Sequence, residues 1–205
     1  MSSYLTVFTA SLLALFPIVN PVGALAAFAG LTGDYAPSEL RRQGLHTGLD
    51  VGIILTAFAI LGSLILNVFG LNLQAIQIAG GFVVANSGLG MLNPKSQLTQ
   101  EEHDHAKSKR DISFTPMALP LIAGPGAIGE VIGLSARYPS IEGRVGIIAA
   151  VILLAAIIAA LLMWATPVVD RLGPTGIGAL VRVIGFLILC IGVELMIHGI
   201  TTLRL

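Results

Sequence analysis

Apolar residues in this chain run on for twenty positions or more at a stretch, instead of recurring every three or four residues as on a helix with one wet face. Crossing a bilayer as a helix takes about 20 such residues. Six stretches qualify: Tyr4 to Leu31, His46 to Gly70, Leu73 to Leu92, Ile112 to Ala136, Val145 to Val169 and Ile177 to His198. Gly70 to Asn72 reads as a tight turn, and Asn93 to Asp111 is the one long polar stretch. The pattern predicts an all-α integral membrane protein of six transmembrane helices, divided into residues 1–97, a linker at 98–111 and residues 112–205.

The two parts echo each other. At an offset of 103, Pro17, Gly23, Ala24, Gly30 and Leu31 fall on Pro120, Gly126, Ala127, Gly133 and Leu134, and Thr32 falls on Ser135. At an offset of 104, Ala75, Gly81, Phe82 and Gly88 fall on Ala179, Gly185, Phe186 and Gly192. Two copies of one three-span unit must enter the bilayer in opposite orientations, because each has an odd number of crossings. That is the inverted-repeat plan of many secondary transporters.

The first and fourth spans carry a breaker at their centre. Proline has no N–H and clashes with the carbonyl four residues back, so the helix must open there. Asn20-Pro21 then reads as an N-cap with proline at the first helical position, and Gly124-Pro125 as the same arrangement with glycine. Helices 1 and 4 are therefore expected to be broken, each offering a second N-terminus near mid-bilayer. Such a terminus presents unpaired N–H groups and the positive end of the helix dipole. Unpaired backbone at that depth is tolerated only in protein or along a cavity. Either break alone reads better as a plain proline kink; their matching positions point to a polar site between the repeats, formed by Val19, Asn20, Pro21, Gly23, Ala123, Gly124, Pro125 and Gly126. The pairs Ala26/Gly30 and Gly129/Gly133 are small residues at packing distance and are assigned to helix contacts.

Composition agrees with a membrane protein: 55% hydrophobic, 11% charged, 24 glycines and a mean hydropathy of +0.91. A formal net charge of zero gives no footprint for nucleic acid. Lys and Arg crowd the loops after helices 1, 3 and 5 (Arg41, Arg42, Lys95, Lys107, Lys109, Arg110, Arg171), against Arg137, Arg144 and Arg204 opposite. By the positive-inside rule both termini lie outside the cytoplasm. The N-terminus has no basic leader and is expected to be retained. Cys190 stands alone inside a span and reads as packing. Glu101, Glu102, His103, Asp104 and His105 match no zinc spacing and read as a solvated loop, so no metal or cofactor is implied. HExxH, GxSxG and CxxC are absent, so an enzyme is not expected.

Ionisable groups within spans are costly and mark function by default. Asp50 lies just inside helix 2, Glu130 about a turn beyond the second break, Arg182 and Glu194 in helix 6. For Asp50 and Arg182 a mutual pair is the competing reading; for Glu130, a carboxylate reaching water. Glu130 and Asp50 are the candidate proton carriers. Gln74, Gln77, Asn86 and Ser87 either line the cavity or link helices.

The segments FPIVNPVGAL, DISFTPMALPLIAGPGAI and VRVIGFLILCIGVELMIHGI resemble the MarC/SnatA family of six-helix bacterial membrane proteins, over essentially the whole chain. The resemblance implies an inner-membrane secondary transporter, in some members an exporter, moving small neutral amino acids such as glycine and alanine and coupled to protons or another gradient such as sodium. Asn20, Pro21 and Gly23, with Gly124, Pro125 and Gly126, match its motifs; the resemblance singles out no proton carrier. The family name also carries an association with antibiotic resistance, so drug or metabolite efflux stands as an alternative, beside a channel or structural protein with kinked helices. On the transporter reading, a substrate carboxylate meets the helix starts at Pro21–Gly23 and Pro125–Ala127. Its ammonium meets carbonyls near Val19 and Ala123, and the repeats rock against each other.

Overall fold

The structure, a computed structural model, describes residues 3–33, 35–93 and 111–203. The Glu101–His105 cluster, Lys95, Lys107, Lys109, Arg110 and nearly all of the 98–111 linker lie outside the described residues. Among the described residues eight helical elements follow in order: α1 (Ser3–Val19), α2 (Pro21–Leu31), α3 (Pro37–Phe69), α4 (Leu73–Leu92), α5 (Ser113–Ile122), α6 (Pro125–Arg137), α7 (Ile141–Met163) and α8 (Ala165–Thr201). No strand occurs among the described residues. Five helices are long and apolar enough to span a membrane, six when the bent α5–α6 pair counts as one crossing. The chain is an all-α membrane protein.

Local chemistry sets the boundaries. Proline stands at the first helical position of α2, α3 and α6. There its missing N–H costs nothing. Asn72 caps α4 by accepting from the Ala75 N–H at 2.7 Å, and Ser140 caps α7 by accepting from Gly143 at 3.1 Å. Gly70, at φ 62°, closes α3 in the left-handed region open to glycine. Two boundaries differ from the hydropathy pattern. Helix α3 starts at Pro37, well before His46, because its wet first turns are helical although not apolar. Helix α7 ends at Met163, and Val169 belongs to α8, where Pro167 sits in a first turn that needs no N–H. Gly173 (φ 64°, ψ 169°) interrupts α8 and leaves Thr175–Thr201 as its spanning part.

Leu15, Phe28, Leu55, Met117, Ile147 and Leu154 belong to the main apolar core. Val84, Met91 and Ile188 form a second, smaller cluster, against which Ile18 also packs. Of the helix pairs in substantial contact, only α6–α7 lies within one half of the chain; α4–α8, α3–α7, α1–α7 and the rest each join one half to the other. The α4–α8 pair is the most extensive. Its backbones touch: a Cβ on Gly88 would lie 2.5 Å from the Leu189 nitrogen and 2.7 Å from the Gly185 oxygen. Small residues allow this approach, the usual basis of helix association in lipid.

Polar side chains tie α3 to the second half. The buried Gln43 accepts from the Ile112 N–H at 3.2 Å, and Ser135 donates to the Ala59 carbonyl at 2.8 Å. Replacing Gln43 with Leu leaves the buried Ile112 N–H unpaired. A loss of about 1–3 kcal/mol in unfolding free energy is expected from denaturation in detergent. The same region enters α5 through Asp111, which accepts from the N–H and hydroxyl of Ser113. Those two bonds hold its carboxyl below the usual carboxylate range.

Candidate functional site

The two breaks are built differently. At the first, one residue suffices: Asn20 takes φ 53°, ψ 66°, a left-handed conformation that asparagine tolerates better than most residues. Its N–H returns to the Pro17 carbonyl at 3.1 Å, its side-chain oxygen accepts from Gly23 N at 3.0 Å, and its amide nitrogen donates to the Met91 sulfur on α4 at 3.1 Å. Gly23 is glycine because a Cβ would collide with the folded-over Asn20 side chain. The first pair thus continues as one 28-residue span, Tyr4–Leu31. Asn20→Ala removes both the cap and the tolerance of the left-handed turn, at about 2 kcal/mol, whereas Asn20→Gly keeps the backbone and costs under about 1. Thermal unfolding of the two variants in detergent checks the order.

The second break is wide. Pro116 and Pro120 cannot donate, and the residue before each, Thr115 and Leu119, is extended. Bonds there skip five residues, Met117 N to Ile112 O at 3.2 Å and Ala123 N to Ala118 O at 2.8 Å. The chain then turns through Ala123 and Gly124, where a Cβ would strike the Pro120 carbonyl. Helix α6 leaves at 63° to α5. No side chain caps its start. Pro125 has no N–H, so the first amides it offers are those of Gly126 and Ala127.

A cavity of about 240 Å³ opens at this point. Gly124, Pro125, Gly126 and Ala127 form one wall, and Asn86 and Ser87 of α4 are the polar groups on another, with Ile18 and Ile188 closing it. The structure therefore brings the second set of expected residues to a cavity, except for the buried Ala123. It does not bring the first: Val19, Asn20, Pro21 and Gly23 do not line it. Both breaks do abut α4, Asn20 at Met91 and Gly126 at Val84. Seven residues of helix put those contacts about 10 Å apart, with the apolar cluster of Val84, Met91 and Ile188 and the neighbouring Ile18 packed there. Asn86 and Ser87 were legible only as polar residues in a span; which way they face is a tertiary fact.

Of the carboxyls, Glu130 is half-buried on α6, three residues past Ala127. Asp50 is half-buried on α3 and does not line the cavity. Asp50 and Arg182 do not pair; among the described residues the ion pair is Arg42 with Glu39, at 3.3 Å. Glu194 is exposed, and His198 Nε2 lies 3.4 Å from an Arg137 nitrogen. No metal-binding cluster occurs among the described residues.

Residues 5–204 match the model of the MarC family of integral membrane proteins. The chain belongs to the MarC family. Among MarC-type relatives, a membrane protein of Buchnera aphidicola named UPF0056 is 34% identical over 190 residues, covering 91% of this chain and 88% of the relative. The membrane protein YhcE of Escherichia coli K12 is also 34% identical, over 189 residues, with the same coverage. The inner membrane protein MarC of Citrobacter koseri is 30% identical over 204 residues, covering 92% and 91%. No solved structure matches the chain.

Proposed function

We propose that this MarC-family protein is a secondary transporter of small neutral amino acids, with glycine and alanine as first candidates. The observation that carries this is the cavity at the uncapped start of α6. A carboxylate fits the Gly126 and Ala127 amides, where the helix dipole favours an anion. An ammonium fits the side-chain oxygens of Asn86 and Ser87 across the cavity. The volume, about 240 Å³, falls below the roughly 300–1,000 Å³ of drug-sized sites, which supports a small substrate over drug efflux. Purified protein in liposomes tests it: glycine or alanine flux well above that of empty vesicles is expected, and flux equal to empty vesicles for both ends the reading.

We assign the motion to bodies other than the two sequence repeats. Their helices interlock at nearly every contact, so parting them would dismantle the bundle. The α4–α8 pair is the better candidate. Its backbones are in direct contact, it carries a small apolar cluster of its own, and the cavity lies where it meets α6. Sliding this pair against the rest opens and closes the site while its own packing stays intact. The end bearing Arg41, Arg42 and Arg171 faces the cytoplasm on this reading, with both termini outside.

Proton coupling, if a carboxyl supplies it, falls to Glu130 and not Asp50, because Glu130 shares α6 with the cavity amides. In Glu130→Gln vesicles, amino acid exchange continues but an imposed pH gradient no longer drives accumulation. A sodium-driven system would keep full response to its own gradient in that variant.

A further inference from the structure

A second cavity, of about 590 Å³, lies at the C-terminal end of α2, between the α2–α3 connection and the joint of α7 with α8. Its lining includes the apolar residues Leu40, Met163 and Val169. It also includes two opposite charges from different helices, Arg41 of α3 and Asp170 of α8. Among the described residues these are not joined as an ion pair and neither pairs with another residue: the neighbouring Arg42, not Arg41, holds Glu39. Trp164, 67% exposed, stands beside them. Spans α3 and α7 begin and end here, at Pro37 and Met163. That is the level at which tryptophan marks the boundary between lipid and water.

We propose that this cavity binds a phospholipid whose headgroup carries both a phosphate and a primary ammonium. The phosphate accepts from the Arg41 guanidinium, whose planar donors suit phosphate oxygens. The ammonium donates to the Asp170 carboxylate. The glycerol and upper acyl carbons cover Leu40, Met163, Val169 and Trp164. Any molecule holding an anion and an ammonium on a short linker meets the two charges equally well. The lipid is favoured by the apolar lining and by a volume more than twice that of the α6 cavity, both of which a free amino acid would leave wet.

Native mass spectrometry of the full chain in detergent tests it. Phosphatidylethanolamine, phosphatidylcholine and phosphatidylglycerol of identical acyl chains are titrated in turn, with soluble phosphoethanolamine as competitor. Phosphatidylethanolamine is expected to be retained roughly tenfold better than phosphatidylglycerol, the scale of one charged hydrogen-bonded contact. Asp170→Asn removes that preference, Arg41→Gln lowers the retention of all three lipids by a similar factor, and Arg137→Gln at the other end leaves both unchanged. Both substituted residues are exposed, so the variants fold. Equal retention of all three lipids overturns the proposal, as does a preference that survives Asp170→Asn or a retention that Arg41→Gln leaves unchanged. Competition by phosphoethanolamine at the lipid's own concentration also overturns it, in favour of a site for free zwitterions. Loss of amino acid transport plays no part in this readout, so the two proposals fail independently.

Discussion

Gly126→Leu is expected to bring amino acid flux down to the level of empty vesicles. A Cβ at this position lies 2.5 Å from a Val84 methyl, and the rest of a leucine side chain has only the cavity to enter. It displaces the ligand and covers the amides that bind it. Overpacking of this kind costs about 1–3 kcal/mol, so the variant still inserts and folds, with a modestly lowered unfolding temperature. The control is Gly30→Ala: its added methyl meets nothing within 4 Å, and flux stays at the parent level. Wild-type flux in the Gly126 variant would remove the α6 start from the binding site.

The second expected result separates motion of the α4–α8 pair from motion of the repeats. Gly80 and Gly129 face each other across α4 and α6, a Cβ on Gly129 lying 3.6 Å from the Gly80 Cα. Gln77 and Gly199 do so across α4 and α8, with a Cβ on Gly199 lying 3.2 Å from that of Gln77. In a background with Cys190 replaced, oxidising a Gly80→Cys/Gly129→Cys pair should abolish transport, and reduction should restore it. Oxidising Gln77→Cys/Gly199→Cys should leave most of the flux, because both ends travel together. The first bridge joins the two repeats, and so does the second. If the repeats themselves rocked, both bridges would block.

Much of this architecture could be read from hydropathy and proline placement alone. The spans, the helix starts at Pro21 and Pro125 and the polar interruption of two crossings follow from rules that act within a few residues. What could not be read is how the interruptions relate in space. Asn20 and Gly124 look interchangeable in sequence. Yet Asn20 satisfies its own helix start with its side chain, leaving little for a ligand, while Gly124 has no side chain to do so. The cavity therefore gathers at only one of the two. Its opposite wall, Asn86 and Ser87, comes from a helix whose rotation is fixed by glycine contacts with α8, a long-range fact that no local pattern encodes. The 63° bend likewise falls at Ala123 and Gly124, between α5 and α6, and its angle is set by the packing of both on other helices.

Because almost every close helix partnership draws one member from each side of the polar stretch, neither side alone holds a hydrophobic centre it could collapse around. The first three crossings therefore complete their packing only when the later ones are in place. Assembly of this molecule is in effect the meeting of two strangers who happen to share a chain, and its order is set by the ribosome and the membrane rather than by stepwise local folding.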